Sequence, residues 1–156
     1  IVDLVRNDLG KVAEPGSGSV PSLLRIEEPP TVVHLVSTVS AQLRSGVSWS
    51  EIINATFPPG SVSGAPKFTA LKMINDLEPT ARGPYCGAIG VVDADAVTAK
   101  LAVGIRTFWL TGDRGHKVLH FGTGAGITWG SDPEAEWEES ELKARHLTSV
   151  AAGVWT

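Results

Sequence analysis

Glu136, Glu139 and Lys143 are spaced i, i+3, i+7 in a segment that also carries Glu134, Glu138 and Glu141. On a helix this spacing puts two carboxylates and an ammonium on one face, a set suited to a hard cation such as Mg²⁺ and an anionic ligand. The bland alternative is strong, because acidic residues in a first turn usually just complement the helix dipole. Gly60-Ser61-Val62-Ser63-Gly64-Ala65-Pro66-Lys67 is a Gly- and Ser-rich turn leading into a helix N-terminus, where free N–H groups favour an anion. Pro66 and Phe68 exclude a Walker A loop, and a plain helix-opening turn explains the residues equally well. Gly122-Thr123-Gly124-Ala125-Gly126 lacks the spacing of a dinucleotide fingerprint and says only that backbone approaches something closely. Arg106 follows the apolar Leu101–Ile105, so its guanidinium must be paired internally, the default, or reach a ligand carboxylate. Tyr85 and His34 are each explicable as core residues with a satisfied polar tip.

The elements that must position these residues are legible from periodicity and caps. Ile1, Leu4 and Val5 fall at helical spacing and Leu9-Gly10 supplies a stop, so a short helix fills residues 1 to 9. Residues 13 to 22 read as a loop, 22–27 as a strand, Pro29-Pro30 as a break, and the β-branched 31–39 as a buried strand. Ser48 with Glu51 forms a capping box that opens a helix over 48–56, and Pro58-Pro59-Gly60 closes it. Phe68, Leu71, Ile74 and Leu77 mark an amphipathic helix over 66–77, with Pro66 in its first turn. The apolar runs 85–92, 97–110 and 117–122, separated by Asp93-Ala94-Asp95 and Gly112-Asp113-Arg114-Gly115, predict consecutive antiparallel strands of one sheet. Ser131 or Asp132 followed by Pro133 opens a last helix over 133–150. The fold class is α+β: a mainly antiparallel sheet with the helices near 48–56, 66–77 and 133–150 packed on one face.

Composition excludes several classes. A chain of 156 residues with 42% hydrophobic and 19% charged residues is close to one average domain and can bury a core. Thirteen Lys and Arg against 17 Asp and Glu give a net charge of −4, with no dense basic run, which argues against nucleic acid. No apolar stretch approaches the roughly 18 to 20 residues needed to cross a bilayer, so no membrane partner is expected and the chain reads as cytosolic. Cys86 is the lone cysteine, consistent with a reducing compartment or an inert buried thiol. Ile1-Val2-Asp3-Leu4-Val5 starts inside an apolar-periodic run without Met or N-cap, which predicts a piece cut from a longer protein.

Six stretches together resemble the C-terminal half of the chorismate-utilising enzymes, the family of anthranilate, aminodeoxychorismate, isochorismate and salicylate synthases. They are IVDLVRNDLGKV (1–12), HLVSTV (34–39), FPPGSVSGAPK (57–67), GPYCGAIG (83–90), GIRT (104–107) and GAGITWGSDPEAEWEESELK (124–143), in the family's order and covering nearly the whole chain. Within the family, the HLVSTV form and the GITWGSDPEAEWEE ending are most similar to aminodeoxychorismate synthase component I, with Gly130 standing where Asp or another polar residue is common.

The resemblance implies a site. Glu139 matches the magnesium-ligand glutamate, Glu136 the acidic residue one turn before it, and Lys143 the lysine that approaches the substrate carboxylate. Arg106 and Tyr85 match the pair that holds the enolpyruvyl carboxylate, Ser61 and Gly124 match hydroxyl and backbone contacts to substrate, and His34 the histidine facing the ring. It also implies amination of chorismate at C4, with ammonia from a glutamine amidotransferase subunit or domain, to give 4-amino-4-deoxychorismate for folate synthesis. Anthranilate synthase component I is the alternative. A further magnesium-ligand glutamate and a PIKGT-type lysine lie upstream of IVDL in the family, so 1–156 corresponds to the C-terminal part of a two-sheet catalytic domain and is not expected to turn over chorismate alone.

Overall fold

Val2–Gly10 forms helix α1 in the computed structural model, which describes residues 1–28, 34–113 and 115–153. The chain divides into two units, Ile1–Ala81 and Arg82–Thr156.

In the first unit, α1 is followed by an antiparallel hairpin of β1 (Ser19–Glu27) and β2 (His34–Ser40). Glu27 pairs with His34 and Arg25 with Val36, but the register shifts twice toward Ser19. At one shift Leu24 takes φ 50° and donates its N–H to Ser37 Oγ at 2.9 Å, so the side-chain hydroxyl replaces a lost ladder bond. The expected break at Pro29-Pro30 and the start of the second strand, 31–33, lie outside the described residues. β2 is not the buried strand its β-branched composition suggests, since Leu35 is exposed.

Helix α2 (Trp49–Thr56) carries the capping box: Glu51 N–H donates to Ser48 Oγ at 3.3 Å and Ser48 N–H to Glu51 Oε2 at 2.8 Å. That backbone hydrogen bond from Ser48 holds the Glu51 carboxyl below its ordinary value. A single turn, α3 (Gly60–Ser63), leads through Gly64 at φ 112° into α4 (Lys67–Leu77), for which Pro66 is the N-cap rather than a first-turn residue. The apolar stripe of α4 is covered only in part: Leu71 and Ile74 are half-buried, whereas Phe68 is 84% and Leu77 81% exposed.

In the second unit, β3 (Ala88–Asp93) and β4 (Thr98–Val103) pair antiparallel from Ala88–Val103 to Asp93–Thr98. Asp93 Oδ1 closes their turn by accepting from Asp95 and Ala96 N–H at 3.0 and 2.9 Å. β5 (Phe108–Thr111) and β6 (Val118–Phe121) form another antiparallel pair, braced by Phe108 on Phe121 and by Trp109 stacked on His120. The apolar run 97–110 is therefore two strands in two sheets, not one, and the described strands make three two-stranded sheets. The break falls at Gly104, where a Cβ would stand 2.3 Å from the Pro84 carbonyl oxygen. Gly104 donates its N–H to Gly87 O and accepts from Cys86 N–H, so the 84–87 turn closes the end of the ladder there. Helix α5 (Pro133–Ala151) starts as its sequence dictates, with Asp132 accepting from Ala135 N–H at 3.0 Å and Pro133 opening the first turn.

The α+β class with antiparallel strands stands as expected. What the chain lacks is an interior: among the described residues the buried apolar ones are Val12, Ala13, Ala55 and Cys86. Its 11697 Å² of accessible surface exceeds even the roughly 9,000 Å² that two separate folded domains of half this mass would show.

Candidate functional site

The second unit gathers most of the expected residues. On α5, Glu136 and Glu139 lie one turn apart and Lys143 one turn further, as their spacing requires. Lys143 Nζ stands 2.6 Å from Glu139 Oε1 and donates to the Gly124 carbonyl at 3.3 Å, so one ammonium ties the helix to the glycine loop. A second tie is Thr123 Oγ1, which donates to the Ser140 carbonyl at 3.2 Å. Glu136 is half-buried and accepts from Ser131 Oγ at 2.6 Å, and Ser131 Oγ in turn accepts from Thr128 N–H at 2.9 Å. The 125–131 turn is thereby held against the helix start.

Tyr85 belongs to a turn closed by Tyr85 N–H to Arg82 O and Gly87 N–H to Pro84 O. Its phenol oxygen lies 3.0 Å from where a Cβ on Gly124 would be, which places it over the same residue that receives Lys143. The turn is clamped to the end of β4 by Cys86 N–H to Gly104 O at 3.0 Å and Gly104 N–H to Gly87 O at 2.8 Å. Arg106 follows two residues later, exposed, at φ 51°. It is not a strand residue, and among the described residues it has no ion pair, contrary to the default of an internal salt bridge. A left-handed arginine costs on the order of 1–2 kcal/mol and persists because the clamp at Gly104 fixes the chain just before it. Tyr85, Gly124, Lys143, Glu139 and Glu136 thus form one connected group, with Arg106 held to it through backbone.

Ser61 and His34 belong to the first unit. Ser61 lies exposed in α3, and His34 opens β2 opposite Glu27. The anion anticipated at the Gly60 turn is the chain's own: Asp8, 5% exposed, accepts from Gly60 N–H at 3.0 Å. Lys67 Nζ pairs with Asp8 at 2.8 Å and donates to the Ala55 carbonyl at 3.0 Å, and Lys11 adds a longer pair at 3.1 Å. Sequence reasoning missed Asp8 because its partners are 52 and 59 residues away; its i, i+3 relation to Lys11 was the only local signal.

Burial works to raise the Asp8 pKa, but the hydrogen bonds from Lys67, Gly60 and Lys11 outweigh it and hold the carboxyl below its ordinary value. A depressed folded-state pKa contributes stability above the unfolded value of about 3.9 that is lost as pH falls through the folded one. Asp8→Asn is therefore expected to destabilise the protein by about 2–3 kcal/mol at pH 7, leaving Lys67 without a counter-charge. Urea unfolding of the full-length protein should show the gap between variant and wild type narrowing below roughly pH 4. A gap that stays constant down to pH 2 would mean that folding does not depress the Asp8 pKa.

The donor set on α5 fits Mg²⁺ in kind: two carboxylates a turn apart supply the hard oxygen ligands that this ion takes together with waters and substrate oxygens. Among the described residues, no group of three or more His, Cys, Asp or Glu side chains is gathered that could hold a metal by itself.

The sequence profile described as chorismate binding enzyme matches residues 1–149. The chain belongs to the chorismate-binding enzyme family. Among its family relatives, anthranilate synthase component 1 of Saccharolobus solfataricus is 44% identical over 154 residues, 99% of this chain and 35% of the relative. Aminodeoxychorismate synthase component 1 of Klebsiella aerogenes is 44% identical over 147 residues, 94% of this chain and 32% of the relative. The crystal structure of anthranilate synthase component I from Streptococcus pneumoniae superposes with a TM-score of 0.79 at 35% identity, over 94% of this chain and 33% of that one. The chain spans about a third of the length of these relatives. The chain shares the fold of the matching third of that structure. Among the described residues no helix is long and apolar enough to cross a membrane.

Proposed function

We propose that the protein carrying this chain aminates chorismate at C4, forming a C–N bond from ammonia as the C–O bond to the ring hydroxyl breaks and water leaves. The observation that carries the substrate class is the connected group of Tyr85, Gly124, Lys143 and Glu139, which offers a phenol and an ammonium to a dicarboxylate, with Arg106 exposed two residues after the Gly104 clamp. Arg106 and Tyr85 hold the enolpyruvyl carboxylate, a guanidinium fork with a phenol donor. Lys143, held by Glu139 and the Gly124 carbonyl, meets the ring carboxylate. Ser61 and the Gly124 backbone add contacts to the substrate, and His34 faces the ring. Glu139 and Glu136 would hold Mg²⁺, which when bound would supply charge neutralisation and polarisation for the dianion. Ammonia comes from a glutamine amidotransferase subunit or domain, and the reaction runs in the cytoplasm. The segment is the C-terminal part of a catalytic domain whose remaining part covers the exposed apolar faces of β1, β2 and α4.

Preference for the C4 product rests on the HLVSTV and GITWGSDPEAEWEE forms. Anthranilate synthase is the second reading, favoured by relatives of that name at the same 44% identity. Incubation of the full-length protein with chorismate, Mg²⁺ and ammonium, followed by chromatography of the products, separates the two. Aminodeoxychorismate is expected, and anthranilate as the sole product would sink the C4 assignment.

A further inference from the structure

Tyr85 stands on bare backbone. A Cβ on Gly122 would lie 2.5 Å from Tyr85 Cγ, 2.6 Å from Cδ2 and 3.0 Å from Cβ, while one on Gly124 would lie 3.0 Å from the phenol oxygen. The ring therefore spans the loop, its root over Gly122 and its hydroxyl over Gly124. Gly122 is not in the left-handed region, so its backbone accepts alanine without strain; what the missing side chain supplies is room. Gly130, in the same segment, has nothing within 4 Å of where its Cβ would be. The root of the ring has no freedom to retreat, because the 82–87 turn is fixed by its own hydrogen bonds and by those to Gly104, with Cys86 buried beside it. The Arg82 guanidinium lies 5.6 Å from the ring centroid on the same turn. A methyl group at 122 must then swing the ring, and with it the hydroxyl, away from Gly124 and Lys143.

We propose that Gly122 is a positioning residue for substrate binding: by carrying no side chain it seats the Tyr85 ring so that the phenol stands over Gly124, beside the carbonyl that holds Lys143. The inference rests on the reading in which Tyr85 meets a chorismate carboxylate, and it adds what aims the phenol there.

The test uses the full-length protein labelled with ¹³C-tyrosine, the Tyr85 ring signal being identified by its loss in Tyr85→Phe. Gly122→Ala moves that signal and Gly130→Ala leaves it in place. In steady-state kinetics Gly122→Ala raises the KM for chorismate roughly ten-fold with kcat within about two-fold, the pattern of lost uniform binding. If Gly122→Ala does not fold, the double variant Gly122→Ala/Tyr85→Ala does, because the ring is what the methyl group strikes. An unmoved ring signal, a signal that moves with KM unchanged, or a double variant as unfolded as the single one overturns the proposal. Wild-type protein that neither binds nor turns over chorismate defeats the reading of the site instead, while the ring signal still decides whether Gly122 seats Tyr85.

Discussion

Glu139→Gln in the full-length protein is expected to lower chorismate turnover at least about a hundred-fold, while Glu138→Gln leaves it within about two-fold. The substitution keeps side-chain size and helix propensity but removes a charge that serves two partners. It withdraws a hard oxygen ligand from Mg²⁺, and it frees Lys143, whose Nζ stands 2.6 Å from Glu139 Oε1. Both glutamates are exposed residues of α5, so each change alters the helix-dipole interaction almost equally, and the shift in Tm should stay under about 2 °C for both. A difference between them in turnover, and in Mg²⁺ affinity measured by calorimetry with chorismate present, isolates the metal face from a solvated acidic turn. Equal losses, or none, would show that the cluster is only such a turn.

The isolated 156-residue chain is expected to unfold without a cooperative transition, to bind the apolar dye ANS, and to show no turnover with chorismate, Mg²⁺ and ammonium. The physical ground is burial. Val12, Ala13, Ala55 and Cys86 are the buried apolar residues described, whereas Ile26, Leu35, Phe68, Leu77 and Ile127 are largely exposed. At about 25 cal/mol per Å², faces left in water contribute nothing against the conformational entropy of ordering the chain. Two-stranded hairpins such as β1–β2 and β5–β6 are marginal in water unless a further layer covers them. Differential scanning calorimetry of the chain alone beside the full-length protein reads the contrast. A sharp melt with turnover by the short chain would defeat both the burial argument and the assignment of 1–156 as part of a larger catalytic domain.

The legible parts of this protein are those written within one turn of helix or one hairpin. Ser48 and Glu51 close a capping box whatever lies around them, because the groups they satisfy are three residues away. Asp132 and Pro133 likewise start α5, and the i, i+3, i+7 spacing alone puts Glu136, Glu139 and Lys143 on one face. The apolar runs 85–92 and 97–110 on either side of Asp93-Ala94-Asp95 predicted an antiparallel pair, which forms between 88–93 and 98–103. Tertiary contact decided the rest. The run 97–110 has the composition of one strand, yet its pairing with β3 ends at Gly104, where the 84–87 turn packs so closely that the Pro84 carbonyl leaves no room for a side chain. Arg106 consequently leaves the sheet, goes left-handed and stays unpaired among the described residues, where local sequence predicted a strand and a salt bridge. Asp8 reads as one more surface acid of a short helix, and only the fold brings it to Gly60 and Lys67. Tyr85 meets Gly122 and Gly124 across some forty residues of chain. Patterns of period 2 and 3.6 determine element type because they concern neighbours, whereas a close approach between distant segments depends on where every intervening element has packed.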